Sequence, residues 1–360
     1  MMMSKYIEED IKRLAKALNK AKQGEKELVI GFLGGSITQG CTPSIPENAY
    51  AMRVYKWIKN KFRDISIKYI NAGIGATGSL IGVHRVEQDL LCYQPDIIFV
   101  EFAANDVPPN RLTAEAYESL IRRIINTCPE VAIVEICMTL EDGTSAEIQQ
   151  KQIAQHYNIP VVSFRQEVFN QIKKGTYTWK DIAVDEVHPN DKGHEIVAGL
   201  ITELLECACD YKGACEDRRR ENPVGETLFS DKYVKGTILN SYSLEPIEMK
   251  GFIPSEEGFK TLNKGWKLIN NHEASFTCEI TAKNIFLLYV KGIEVDRAKV
   301  EIAINNKSIE LDSFFENGWG SYAEVCALTN GNIEQKHSVC IRIVDTNPNA
   351  CFNILGFLVS

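Results

Sequence analysis

The sequence predicts an α/β domain built on a doubly wound parallel sheet, followed by an antiparallel β-sandwich. Three observations carry this expectation. Over the first part of the chain, apolar β-rich runs alternate with segments of helical periodicity, the pattern of strand–helix–strand units. Those runs are apolar along both faces, as strands covered by helices on each side must be. After Asp231 the pattern changes to short alternating segments separated by Gly, Asn and Pro turns, which is the signature of an antiparallel all-β unit.

The strand-like runs are Leu28 to Leu33, Ile65 to Ile70, Ile97 to Phe102, Val131 to Met138 and Ile159 to Phe164. Helical periodicity fills the intervals at Ala49 to Phe62, Leu80 to Cys92, Ala114 to Thr127, Ala146 to Tyr157 and Lys192 to Cys207. Thr113, ahead of Ala114-Glu115-Ala116, reads as an N-cap with acid in the first turn, and Asn190-Asp191 opens the last helix. Right-handed crossovers between such units give a flavodoxin-like, five-stranded order of 2-1-3-4-5. In that order the switch point lies between strands 1 and 3, so the turns after Leu33 and Phe102 face the ligand-binding crevice.

The β-rich part predicts strands at Thr237 to Tyr242, Trp266 to Ile269, Ala274 to Ile280, Asn284 to Val290, Ala298 to Ile304, Tyr322 to Leu328, Ser338 to Val344 and Cys351 to Val359, with turns at Asn305-Asn306 and Asn330-Gly331-Asn332. The expected organisation is an α/β domain over residues 1–212, a linker over 213–230 and a β-sandwich domain over 231–360. The linker carries the Arg218-Arg219-Arg220 run between acidic neighbours and the Asn222-Pro223 break.

At 360 residues the chain is long for one core and comfortable for two. The net charge of −8 argues against nucleic acid as a partner, because phosphate binding needs a clustered basic face. No apolar run is long enough to span a membrane. Met1 to Gln23 is amphipathic and lacks the apolar core and cleavage site of a signal peptide. Eleven scattered cysteines without a regular framework read as reduced thiols, so the expected location is cytoplasmic. Cys207, Cys209 and Cys215 cluster in sequence but lack zinc-ligand spacing. The oligomeric state stays open, a homo-oligomer included.

The most informative segment is Gly34-Gly35-Ser36-Ile37-Thr38, which runs directly out of the first strand. A glycine turn there presents one serine at the strand's C-terminal end. Three further segments follow: Asn71-Ala72-Gly73-Ile74-Gly75-Ala76-Thr77, Ala103-Ala104-Asn105-Asp106, and Asp185-Glu186-Val187-His188-Pro189. Together they hold a complete set for acyl transfer. The serine hydroxyl needs a base, and a neutral imidazole supplies one. The imidazole needs a carboxylate to fix its tautomer, and Asp185 stands three residues before His188. A tetrahedral oxyanion needs preorganised donors: the Ser36 amide, an amide of the Gly75-Ala76 turn and the Asn105 side chain. The set calls for no metal and no cofactor. No Gly-x-Ser-x-Gly surrounds Ser36, which argues against the α/β-hydrolase nucleophile elbow.

These four segments, in this order, resemble the four sequence blocks of the SGNH hydrolase superfamily, the GDSL-type esterases and lipases. The resemblance covers roughly the first 210 residues, the span of the alternating pattern. It implies Ser36 as nucleophile, Asp185 and His188 as orienting acid and base, and Ser36, Asn105 and either Gly75 or Ala76 as oxyanion donors. Three departures stand out. The family's usual Gly-Asp-Ser is here Gly34-Gly35-Ser36, Ala76 stands where many members have glycine, and Ala103 replaces the glycine of Gly-x-Asn-Asp. A hydrolase of this type joined to a β-sandwich resembles carbohydrate esterases that remove acetyl groups from saccharides. The implied function is a serine esterase acting on small acyl esters, acetylated saccharides foremost, through an acyl-enzyme. A lysophospholipase or short-chain lipid esterase is the alternative within enzymes, and a non-catalytic carbohydrate-binding protein the alternative outside them.

The remaining candidates have simpler roles. Glu186 is a second carboxylate near His188, and Asp106 reads as structural, since a charge there would oppose an oxyanion. His194, His84 and His156 lie on helices. Arg85 and Asp89, four apart, form an intrahelical ion pair. Trp179, just before the Asp–His loop, is a candidate substrate-binding wall or a core residue. Trp319, in a glycine loop of the β part, either stacks on a sugar or closes the end of the sandwich.

Overall fold

The computed structural model describes residues 8–23, 27–213, 224–344 and 347–360. Met1 to Ile7, Cys215, the Arg218-Arg219-Arg220 run and Asn222-Pro223 lie outside them. The chain divides into two compact units, Met1–Val234 and Lys235–Ser360.

The first unit is a parallel sheet of five strands: β1 (Leu28–Gly34), β2 (Ile67–Gly73), β3 (Ile97–Glu101), β4 (Ala132–Cys137) and β5 (Val161–Ser163). Their order is β2-β1-β3-β4-β5, as the crossover argument requires. All of β1 is buried, because its alternate side chains enter cores on opposite faces of the sheet. Ile30 and Phe32 pack into one of these cores with helices α1 (Glu8–Lys22), α3 (Tyr50–Lys61) and α8 (Asp191–Cys209). Phe32 stacks on Phe99 at 4.6 Å between ring centroids, tying β1 to β3. Helices α4 (Ser79–Asp89) and α5 (Arg111–Thr127) pack against each other, and α4 also contacts β1. The strand β2 begins two residues later than expected and extends to Gly73, so the second motif starts inside the strand.

Local chemistry moved one helix boundary and added one helix. The N-cap of α5 is Asn110, not Thr113. Asn110 Oδ1 accepts from the Thr113 amide at 3.1 Å, and Thr113 Oγ1 accepts from the Asn110 amide at 3.0 Å, a reciprocal capping box. Asn190 caps α8 as expected, accepting from the Lys192 and Gly193 amides. Helix α7 (Phe164–Lys173) was not expected. Ser163 caps it, and only Phe164 and Val168 are buried, too few to give a readable period. Helix α6 (Glu147–His156) completes the crossover to β5.

The first unit runs past the expected linker because a buried carboxylate holds the chain there. Glu118 on α5 accepts from the Leu228, Phe229 and Ser230 amides at 2.5 to 2.7 Å and from Tyr157 Oη at 2.6 Å. Arg122 donates to the Val224 carbonyl at 3.0 Å, and Tyr233 is buried with its amide on Ser119 Oγ. Three backbone donors on one carboxylate satisfy a loop that would otherwise have to be solvated.

The second unit is one antiparallel sheet with nine strands among the described residues. Two of them are long, β10 (Ser275–Lys291) and β13 (Tyr322–Ile343), and they pair along their whole length. This corrects the expectation of four shorter strands there. Asn330-Gly331-Asn332 lies inside β13, because pairing of Asn330 with Asn284 overrides the local turn signal. The register shifts between Ala282 and Asn284, and the inward-facing positions change from Phe276, Cys278 and Ile280 to Ile285, Leu287 and Tyr289. The strands β6 (Thr237–Leu239), β9 (Gly265–Leu268), β11 (Lys299–Ile304) and β14 (Asn353–Val359) match expected segments, while β7 (Glu248–Lys250), β8 (Phe252–Ser255) and β12 (Lys307–Asp312) are additional. The layers meet where Trp266 lies edge-on to Phe276 at 4.9 Å and Phe276 stacks on Phe357 at 6.2 Å. Trp319 does not close the sandwich: it is 69% exposed and stacks on Tyr322 at 5.4 Å. Among the described residues, no helix is long and apolar enough to cross a membrane.

Candidate active site

Gly34 ends β1, and Ser36 opens a single helical turn, α2 (Ser36–Gln39). Here the strand's C-terminal edge meets the loop before α8. Ser36 Oγ and His188 Nε2 are 2.8 Å apart. His188 Nδ1 faces Asp185, 2.8 Å from Oδ2 and 3.1 Å from Oδ1. A carboxylate only accepts, so Nδ1 carries the proton and Nε2 is left to accept from the serine hydroxyl. Burial opposes ionisation of Asp185, but hydrogen bonds from His188 and Val187 outweigh it and hold the acid below the usual carboxylate range.

The Asp–His loop is fixed by its own backbone. Asp185 Oδ1 accepts from the Val187 and His188 amides at 2.8 and 2.7 Å. The Val184 amide donates to the His188 carbonyl, and the Asn190 amide to the Ile182 carbonyl, each at 2.9 Å. Trp179 braces this loop from the core. It is 8% exposed, and its indole N–H donates to the Asp185 carbonyl at 2.8 Å. This corrects its reading as a substrate-binding wall, since a ring packed in the core presents no face to a ligand. Asp191 clasps the loop to the segment after α2. It accepts from Ser44 N at 2.8 Å, Ser44 Oγ at 2.5 Å and Asn48 Nδ2 at 2.9 Å, while Thr42 donates to the Pro189 carbonyl at 2.8 Å.

The second and third motifs converge on the same turn. Ile74 N donates to the Gly34 carbonyl at 3.1 Å, joining the end of β1 to the loop after β2. Gly75 N donates to Gln39 Oε1 at 2.6 Å, so this amide is engaged within the site. Ala76 has φ of 56°, the left-handed region where glycine is preferred, which accounts for the residue type usual at that position. The Asn105 carboxamide lies directly over Gly35. A Cβ on residue 35 would overlap Asn105 Oδ1 and lie 2.8 Å from Cγ.

Below the turn sit charges that composition alone leaves unexplained. Arg85 is fully buried and pairs with Asp89 at 2.8 Å, as the four-residue spacing implies. The same guanidinium donates to the Ala72 carbonyl at 2.6 Å and the Gly34 carbonyl at 3.0 Å, so it spans the ends of β2 and β1. Asp106 is buried and structural: it accepts from the Ser79 amide at 2.8 Å, at the start of α4, and from Gln150 at 2.9 Å. His194 is buried, accepts from the Tyr50 amide and is pushed down to about 4 by burial and the nearby Arg53 charge. Glu186 makes no contact with the imidazole comparable to that of Asp185. Gln39, Asp191 and the bridging role of Arg85 were missed in the sequence. The Ser36-to-Gln39 spacing of one helical turn was the available signal for the first.

Ser36, Asp185, His188, Gly75, Ala76 and Asn105 therefore come together from four separated segments. The arrangement offers a hydroxyl bonded to an oriented imidazole, beside amide and carboxamide donors.

A sequence model of the GDSL-like Lipase/Acylhydrolase family matches residues 32–196, a span from the end of β1 to the start of α8. An acetylxylan esterase of Geobacillus stearothermophilus is 26% identical over 209 residues, which are 50% of this chain and 93% of that protein. The crystal structure of a two-domain esterase active on acetylated mannans is 30% identical, with a TM-score of 0.89 over 97% of this chain and 95% of that one. The same kind of two-domain esterase co-crystallised with mannopentaose gives a TM-score of 0.88 at 30% identity over 97% of this chain. Both units are thus shared with a solved esterase, and the chain belongs to the GDSL-like lipase/acylhydrolase family, the SGNH hydrolases, as a carboxylic ester hydrolase.

Proposed function

We propose that this protein is a serine acetylesterase that removes acetyl groups from saccharides. The observation that carries the mechanism is the continuous line Ser36 Oγ–His188 Nε2 and His188 Nδ1–Asp185, each step 2.8 Å. Ser36 Oγ attacks the acetyl carbonyl carbon while its proton passes to His188 Nε2. The carbonyl oxygen becomes an oxyanion held by the amides of Ser36 and Ala76 and by Asn105 Nδ2. Engagement of the Gly75 amide by Gln39 supports Ala76 as the second main-chain donor. As the carbon–oxygen bond to the sugar breaks, the sugar oxygen takes the proton from His188. Water then attacks the acetyl–serine ester, His188 takes its proton, and acetate leaves with Ser36 restored. Asp185 stabilises the imidazolium in both halves.

Full-length likeness to an esterase active on acetylated mannans, and likeness of the catalytic unit to an acetylxylan esterase, support acetylated saccharides as the substrate class. The test is acetate release from acetylated manno- and xylo-oligosaccharides, with a lysophospholipid and a short-chain glyceride measured in parallel. Acetate release at turnover well above that on the lipids is expected. Preferential turnover of the lipids would overturn the saccharide reading.

The Gly35–Asn105 contact gives a second expected result. Gly35→Ala should displace the Asn105 carboxamide and lower kcat by about tenfold to a hundredfold, with KM changed little. Steady-state kinetics on p-nitrophenyl acetate measure it. An unchanged kcat would mean that Asn105 is not held where an oxyanion forms.

A further inference from the structure

Glu101, the last residue of β3, has no solvent exposure. Its side chain lies under the turn that presents Ser36. Oε2 accepts from Thr38 Oγ1 at 3.0 Å, and Thr38 Oγ1 is 2.7 Å from Tyr50 Oη, so a buried chain runs Tyr50 to Thr38 to Glu101. The Gly35 and Thr38 amides also face this carboxyl group, and they flank Ser36 in sequence. Oε1 is buried without a hydrogen-bond partner of good geometry. Among the described residues no basic side chain pairs with the group, in contrast to Asp89, which has Arg85. A buried carboxyl with an unpartnered oxygen and no counter-charge is far cheaper to hold as an acid than as an anion.

We propose that Glu101 is a positioning residue for the Ser36 turn that works as a neutral carboxylic acid, and that its ionisation slows ester hydrolysis. The inference rests on Ser36 being the nucleophile. In the neutral form, Glu101 holds Thr38 and the turn around Ser36 without placing a charge beneath it. Once ionised, it draws the Gly35 and Thr38 amides toward itself and sets a negative charge beneath the site where the transition state develops negative charge. Burial pushes Glu101 up to about 7, with the nearby Asp106 adding to the rise and the Thr38 and Gly35 hydrogen bonds opposing it. The titratable groups facing it are Tyr50 from α3, raised well above its usual value by burial, and Asp106 from the loop after β3, pushed up to about 7 by burial. Asp106 is engaged at the start of α4 rather than under Ser36, and this separates the two experimentally.

The experiment compares kcat/KM against pH for the wild type, Glu101→Gln and Asp106→Asn on p-nitrophenyl acetate. Glutamine keeps the shape and stays neutral. Expected is a wild-type rate that falls above neutrality by on the order of tenfold, a charge effect of the size expected across a few ångströms of protein. In Glu101→Gln the fall should be absent or moved up by about one pH unit or more, as loss of the ionising group requires. In Asp106→Asn the fall should remain. A Glu101→Gln profile that superimposes on the wild type overturns the inference, as does a fall removed by Asp106→Asn alone.

Thermal unfolding supplies a readout independent of turnover. Glu101 binds its proton more tightly folded than unfolded. Its contribution to stability is therefore complete below its ordinary value of 4.5 and is lost as pH rises toward about 7. The Tm of the wild type should fall more steeply over that window than the Tm of Glu101→Gln. Equal slopes would show that the group is not neutral in the folded protein and overturn the inference, even if hydrolysis depended on Glu101. Absence of hydrolysis in the wild type itself would instead overturn the esterase reading.

Discussion

Ser36→Ala should lower kcat by on the order of a thousandfold or more while leaving the fold intact. The substitution removes one oxygen from a half-buried position at the start of a one-turn helix. The oxygen's hydrogen bond is to the imidazole, and water can replace it there. The loss should therefore appear in turnover and not in Tm. A residual rate above the uncatalysed one is expected, because the amide and carboxamide donors still bind an oxyanion when water is the attacker. Turnover within tenfold of the wild type, on the same folded sample, would remove Ser36 as the nucleophile, and with it the route drawn through His188.

Asn105→Ala should reduce kcat by roughly a hundredfold to a thousandfold with a much smaller change in KM, the behaviour of a donor that acts on developing charge. The geometry sharpens this expectation. The carboxamide is held against Gly35 by contact and lies beside the Ser36 turn, so it need not reorganise during the reaction. Its removal also opens space over Gly35, and the double variant Gly35→Ala/Asn105→Ala tests whether the two effects share a cause. If Gly35→Ala acts by displacing Asn105, the double variant should be no slower than Asn105→Ala alone. Multiplied losses would mean that Gly35 contributes by another path. A KM that rises while kcat holds would make Asn105 a ground-state contact.

The proposed triad was legible in the sequence because each of its residues lies in a short local motif whose chemistry is incomplete without the others. Ser36 follows an apolar strand, Asp185 stands three residues before His188, and the spacing lets one loop bring carboxylate and imidazole together. The sheet order was legible for a related reason, since strand–helix–strand units have one favoured hand. The β unit was only partly legible. Asn330-Gly331-Asn332 carries a strong turn signal, but Asn330 pairs with Asn284 on a strand distant in sequence, and the rest of the signal becomes an irregularity within β13. Ser163 and Phe164 look like the end of a strand until the serine is seen to cap a helix.

The sequence by itself determined the fold class of the first unit, the four motifs and the chemistry they can perform. These follow from local periodicity and from residue types whose functions are few. Only the tertiary structure decided what lies beneath and around the motifs. It put Trp179 in the core as a brace for Asp185, set the Asn105 carboxamide in the space that Gly35 leaves open, and ran Arg85 across the ends of two strands. It also placed Glu101 under Thr38, 63 residues away in the chain. The physical reason is the same in each case. Burial and hydrogen bonding at these positions are set by neighbours that the backbone brings together from distant segments, and no local pattern encodes that meeting.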